Sequence, residues 1–134
     1  MYEVEITAWF CAAHKLRDYH GKCEHLHGHN YKVTVAARSH RPGRGGMVID
    51  FGDLKKAAAQ VLGKVDHGYL NEIPPFDEIE PSAENIACFL FDAIAENLGN
   101  EADLLFSVSV WESASSRATY FRDPQARVQP ESSR

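Results

Sequence analysis

Hydrophobic periodicity constrains this chain more than any other feature, because its period changes only twice. Residues 2–10 alternate, with Tyr2, Val4, Ile6 and Ala8 set against Glu3, Glu5 and Thr7. Alternation returns from His27 to Arg38, where Tyr31, Val33 and Val35 share one parity. A period of two is that of a strand with one buried face. The period then becomes helical: Leu54, Ala57, Ala58, Val61 and Leu62 follow Asp50, and Ile86, Phe89, Leu90, Ala93 and Ile94 follow Ser82. Asp50 and Ser82 are of the types that cap helix N-termini, Asp53 stands at the capping-box position, and Gly63 and Gly99 lie near the two stops. Alternation resumes over about 104–112, through Leu104, Phe106, Val108 and Val110, and over 117–122. The order ββααββ predicts an α+β domain with two helices on one face of an antiparallel sheet.

Between these elements, residues 15–24 are polar and read as a loop. Residues 39–46 hold Pro42, Gly43, Gly45 and Gly46 and must connect. The apolar run Met47 to Ile49 is expected to complete an antiparallel hairpin. Asp66 to Asn71 is a short segment after the first helix, and residues 72–81, with Pro74, Pro75 and Pro81, form a loop. From Asp123 the chain is polar, so residues 1–122 are expected to be one domain and 123–134 a frayed tail. A length of 134 residues suits a single domain, with 44% hydrophobic and 25% charged residues as in ordinary globular chains.

Charge and cysteine usage exclude several classes of function. The net charge of −5 argues against a general nucleic-acid binder, whose affinity needs clustered Lys and Arg. A phosphorylated substrate would therefore need a local basic patch. No stretch approaches the roughly 20 apolar residues of a membrane span, and the acidic, alternating N-terminus is not a signal peptide. Cys11, Cys23 and Cys88 are odd in number and widely spaced, which predicts no disulfide framework and a reducing, cytoplasmic setting.

Five of the seven histidines fall between His14 and His29. His27 and His29 are two apart on a predicted strand, so their imidazoles share a face, and Gly28 between them permits close approach to the backbone. His14 ends the first strand and can bring a third imidazole to the same point. Three histidines with an open fourth position form a catalytic zinc site, although a His-x-His pair alone is a weak signal and also arises without metal. Cys23 shares their parity if the segment is extended. It reads either as a thiolate of lowered pKa beside a dication and Lys22, or as a fourth, structural ligand. Cys11 and Cys88 read as small core residues. Asp66-His67 can form an orienting carboxylate–imidazole pair or simply a surface turn. Glu112, beside Trp111, is either an inward carboxylate suited to a heterocycle with two adjacent N–H donors or an ordinary strand-end charge. His20, His25 and His40 read as solvated loop residues, with His25 sharing the parity of His27.

Taken together, these residues resemble the 6-pyruvoyl-tetrahydropterin synthase and 6-carboxy-tetrahydropterin synthase family. The resemblance spans Tyr2 to about Arg122. It rests on Phe10-Cys11-Ala12-Ala13-His14, Cys23-Glu24-His25-Leu26-His27-Gly28-His29-Asn30-Tyr31 and Met47-Val48-Ile49-Asp50-Phe51. Asp66-His67-Gly68-Tyr69-Leu70-Asn71, Pro81-Ser82-Ala83-Glu84-Asn85 and Trp111-Glu112 complete it. The resemblance implies the tunnelling fold, a ββααββ unit assembling into trimers that stack as a homohexamer with sites between subunits. It implies zinc on His14, His27 and His29, Cys23 as catalytic cysteine, Asp66 and His67 as acid–base partners, and Glu112 with Ser82 on the substrate. The substrate it implies is 7,8-dihydroneopterin triphosphate, with Lys15, Arg17 and Lys22 as candidates to hold the triphosphate. Members differ in product. The 6-carboxy product, with acetaldehyde, for queuosine and other deazapurines, is the primary expectation. A 6-pyruvoyl product, or a folate-type hydroxymethyl product using Glu24 as alternative base, is the alternative. A zinc-binding structural module closed by Cys23 is the reading from another class.

Overall fold

The computed structural model describes residues 1–20 and 25–122; Gly21, Lys22, Cys23 and Glu24 and the tail from Asp123 lie outside the described residues. Two long strands organise the chain, β1 (Tyr2–His14) and β2 (His27–Ser39). They pair antiparallel in unbroken register from Tyr2↔Ser39 to His14↔His27. Helix α1 (Phe51–Val65) follows, then a two-residue strand β3 (Gly68–Tyr69), helix α2 (Ala83–Leu98), and strands β4 (Leu105–Ser113) and β5 (Ser116–Phe121). The strand order is β3-β1-β2-β4-β5, so the chain is an α+β fold as expected. β3 pairs parallel to β1 at Ala12 and Ala13, an addition that two residues of sequence cannot announce.

Parity decides which face is buried. Ile6, Phe10 and Ala12 of β1 and Tyr31, Val33 and Val35 of β2 meet Leu54, Ala58 and Val61 of α1 and Ile86, Leu90 and Ile94 of α2 in one core. Each fully buried aliphatic side chain contributes about 1.5–3 kcal/mol relative to exposure. α1 lies on β1, and α2 lies on β4 and β5. The opposite sheet face carries polar and aromatic groups; Trp9 and Lys32 are register partners there, with the Lys32 ammonium 4.9 Å from the centre of the Trp111 ring.

Three local expectations are corrected. Met47 to Ile49 form no strand: Gly43 donates to the Met47 carbonyl at 2.7 Å, Gly45 and Gly46 take positive φ, and the chain folds back on itself. Ile49 instead enters the core. Gly63 lies near the end of α1, as expected, with the helix closing two residues later at the buried Val65. The Asp50 carboxylate caps α1 through Gly52 rather than through a box with Asp53. The β4 alternation breaks because a bulge opposite Ala36 and Ala37 turns Leu105 inward, while Phe106 stacks under the Arg38 guanidinium. Ser82 caps α2 through Asn85 and Gly99 ends it at φ 61°, as the residue types require.

Candidate metal centre and active site

The β1–β2 register sets His14 opposite His27, and parity turns both, with His29, toward the helix side of the sheet. Among the described residues, His14, His27 and His29 offer ring nitrogens that all lie within 4.8 Å of one another. His14 is only 2% exposed. Its Nδ1 donates to the Pro81 carbonyl at 2.8 Å, and the Nδ1 of His27 donates to the His25 carbonyl at 2.8 Å. A carbonyl can only accept, so each Nδ1 carries its proton and each Nε2 presents a lone pair. The two Nε2 atoms are 3.1 Å apart. The Nε2 of His29 is a buried atom with no hydrogen-bond partner among the described residues, while the ring engages the backbone of Glu112.

Lone pairs on nitrogens gathered this closely repel unless a cation lies between them, and backbone carbonyls fixing the far nitrogens are what metal-bound imidazoles commonly have. The residues therefore fit a divalent metal. Burial holds the His29 imidazole below its usual pKa, with His14 and His27 pushing the same way and Glu112 opposing. The neutral ring, the form that binds metal, is the favoured one.

Two cavities flank this triad. One, of about 180 Å³, is lined by His14, Leu16, His27, Ser82, Glu84 and Glu112 among others. A Glu112 carboxylate oxygen lies 4.0 Å from the His14 Nε2. Ser82 sits at the wall with its hydroxyl accepting from Asn85. The second cavity, of about 390 Å³, brings His29, Gly28 and Asn30 together with Cys11, His67 and Gly68. Asp66 is anchored beside it, one carboxylate oxygen accepting from the Cys11 N–H at 2.9 Å and the other 3.6 Å from His67 Nε2. His67 donates its own N–H to the Cys11 carbonyl and holds φ 59°, a left-handed conformation uncommon outside glycine. Gly68 follows in a tight place, where a Cβ would lie 2.8 Å from Ile73 Cδ1 and 3.2 Å from the Val65 carbonyl oxygen, so a larger residue would have to displace both.

The decisive comparison is with known families: the model of the 6-pyruvoyl tetrahydropterin synthase family matches residues 3–123. The chain belongs to that family. Family relatives include a 6-carboxy-5,6,7,8-tetrahydropterin synthase of Synechocystis, 38% identical over 117 residues, 84% of this chain and 87% of the relative. The human 6-pyruvoyl tetrahydrobiopterin synthase is 32% identical over 104 residues, 75% of this chain and 70% of that protein. Among solved structures, the Caenorhabditis elegans 6-pyruvoyl tetrahydropterin synthase superposes with a TM-score of 0.81 at 30% identity, over 91% of this chain and 96% of that one. The tunnelling fold is thus the fold of this chain.

Within the family fold, the chain gathers its predicted residues unevenly. His14, His27, Ser82 and Glu112 border one cavity, and His29 and His67 border the other. Cys23 and Glu24, the two candidate bases, lie outside the described residues, as does Lys22. Arg17 is tied into the chain: its guanidinium donates to the carbonyls of Ile79, Asn71 and Phe76 and lies 3.6 Å from Glu80. Cys11 is no core residue, since it is half-buried, lines the larger cavity and donates to Asn30 at 2.8 Å. Cys88 is likewise only half-buried. The sequence reading missed the Pro81 carbonyl and the Tyr31 hydroxyl, which is 3.1 Å from the same His14 nitrogen. A buried tyrosine two residues past His29 was the available signal for the second; a backbone carbonyl leaves none.

Proposed function

We propose that this chain is a zinc-dependent 6-carboxy-5,6,7,8-tetrahydropterin synthase. It converts 7,8-dihydroneopterin triphosphate and water to 6-carboxy-tetrahydropterin, acetaldehyde and triphosphate, as in the synthesis of queuosine and other deazapurines. The observation that supports the reading is the gathering of ring nitrogens from His14, His27 and His29 within 4.8 Å of one another, with backbone carbonyls accepting from His14 and His27. The 38% identity to a relative bearing the 6-carboxy name supports the product. The reaction is internally balanced in electrons: the pterin ring gains the pair that the side chain loses, so no nicotinamide or flavin is needed.

His14, His27 and His29 would hold the zinc, which would supply Lewis acidity toward the oxygens of the substrate side chain. The remaining work falls to protein side chains. Glu112 accepts from the adjacent N–H donors of the pterin ring, and Ser82 lines the same wall. Cys23 as thiolate removes the carbon-bound proton. Asp66, held by the Cys11 N–H, orients the His67 ring, so that His67 moves a proton on the other side. His67 is 79% exposed in the single chain, which suits a site completed by a neighbouring copy. We extend the proposal accordingly to a homohexamer of stacked trimers with sites between subunits. In this reading residues 1–122 act as one catalytic domain working in the cytoplasm; none of the described helices is long and apolar enough to cross a membrane.

The second reading is a 6-pyruvoyl product, favoured by the 32% identity to the human relative of that name. Incubating the zinc-loaded chain with 7,8-dihydroneopterin triphosphate and identifying the products by mass spectrometry decides between them. Carboxy-pterin with acetaldehyde, abolished by Cys23→Ala and kept by Glu24→Ala, is expected. A pyruvoyl product, or a hydroxymethyl product dependent on Glu24, overturns the primary reading.

A further inference from the structure

Residues immediately after His14 leave the sheet, yet they are fastened more densely than a connection requires. The Lys15 N–H donates to the Asn71 side-chain oxygen at 2.9 Å, and the Asn71 amide returns a bond to the Lys15 carbonyl at 2.9 Å. Asn71 is buried, so both bonds are shielded from water. Two residues on, the Arg17 N–H donates to both carboxylate oxygens of Glu80 at 2.9 Å, and the Asp18 N–H donates to one of them at 3.2 Å. Burial of the Glu80 carboxyl works to raise its pKa, but these N–H donors and the Arg17 charge outweigh it and hold the group below the ordinary carboxylate range.

Glu80 precedes the residue that touches the metal centre. Its own carbonyl accepts from the Asn85 side chain at 2.9 Å, Ser82 caps α2, and between them the Pro81 carbonyl accepts from His14 Nδ1. The short segment 80–82 is thereby fixed at three successive residues, by Asn85 at both ends and by His14 in the middle. Proline cannot donate a backbone hydrogen bond of its own, so the direction of its carbonyl depends on these neighbours. Movement of Glu80 away from β1's continuation would swing that carbonyl away from His14.

We propose that Glu80 is a positioning residue for the metal centre, its carboxylate clamping residues 80–82 to the chain just beyond His14 so that the Pro81 carbonyl sets the tautomer and aim of the His14 ring. The inference rests on the three-histidine reading above and deepens it. Partners of this kind, one shell outside the ligands, govern affinity as well as geometry. Arg17 then serves as the other half of the clamp, binding the 71–79 loop, and is not spare charge for a phosphate.

The test uses the full chain with Glu80→Ala and Glu80→Gln, and Glu3→Ala, which removes the exposed pair with Arg38, as control. Zinc affinity is measured by chelator competition, and the His14 tautomer is read in the metal-free chain by long-range proton–nitrogen NMR. Glu80→Ala is expected to weaken zinc binding by about 10- to 100-fold and to mix the His14 tautomers, with Glu80→Gln showing a smaller loss and Glu3→Ala none. If Glu80→Ala does not fold, Glu80→Gln is judged on the same two readouts. A folded variant with zinc affinity within about twofold of the parent and an unaltered tautomer overturns the clamp, since a purely structural role lowers only the melting temperature. If the parent chain itself binds no zinc, the metal reading fails, whereas the tautomer measurement still decides whether the clamp exists.

Discussion

The histidine triad and the Asp66–His67 pair lie at the same end of the sheet but are built to different standards. Each triad ring has its outer side engaged by backbone, and the sheet register between β1 and β2 holds the ligands in place. The pair is tied to Cys11, whose N–H donates to Asp66 and whose carbonyl accepts from the His67 N–H, while its imidazole stands largely in solvent at 3.6 Å from its carboxylate. The difference teaches that, among the described residues, one chain by itself brings the three imidazoles together. In the proposed reaction the acid–base pair is left open, and substrate or a second copy would have to enclose it.

The sharpest way to break this contrast is His14→Ala. It removes a proposed ligand and takes from the Pro81 carbonyl the donor it accepts from in a buried site. Zinc affinity should fall by at least about 100-fold, beyond the loss typical of outer-shell changes, with stability reduced by about 1–3 kcal/mol for the unsatisfied carbonyl. Chelator competition and chemical denaturation check the two parts. Asp66→Asn probes the other region: Asn keeps an oxygen for the Cys11 N–H, so zinc content should be unchanged while turnover falls by about 10²- to 10⁴-fold. Steady-state kinetics beside metal analysis reads this separation; parallel loss of metal and activity would erase the distinction between the regions.

Glu112→Gln should cost about 10- to 100-fold in kcat/KM, the worth of a hydrogen bond to a charged group, with zinc retained. The pH response of the clamp is smaller. The Glu80 carboxyl titrates below its ordinary value in the folded chain, so its stabilising contribution is present above the unfolded pKa, about 4.3, and is lost as pH falls through the lower folded value. Glu80→Gln should therefore flatten the acid limb of stability against pH, as followed by denaturant midpoints, and leave the slope above about pH 6 unchanged. Smallest of all, Glu3→Ala should change stability by less than about 0.5 kcal/mol, because the Glu3–Arg38 pair is exposed.

Much of this arrangement was legible in the sequence because it depends on parity. The alternation in residues 2–10 and from His27 to Arg38 put His14, His27 and His29 on one face, and cap chemistry located Ser82 at the start of α2. What parity cannot supply is contact between segments distant in sequence. The Pro81 carbonyl reaches His14 across 67 positions, and the Arg17–Glu80 tie spans 63. Cys11 read as core by its residue type, yet an odd position on β1 turns it to the cavity face beside His67. The bulge in β4 was illegible for the same reason, since it answers to its neighbour β2 rather than to its own alternation. Cys23 was placed by parity alone, and that expectation lies outside the described residues.

The central claim is an open three-histidine zinc centre in which Cys23 is a base and not a ligand. X-ray absorption at the zinc edge, on the loaded parent chain and on Cys23→Ala, tests it most directly. The account predicts nitrogen or oxygen neighbours only, at about 2.0–2.1 Å, in spectra that are the same for both proteins. A sulfur neighbour at about 2.3 Å in the parent, lost in Cys23→Ala together with the metal, would contradict it and leave a closed structural site.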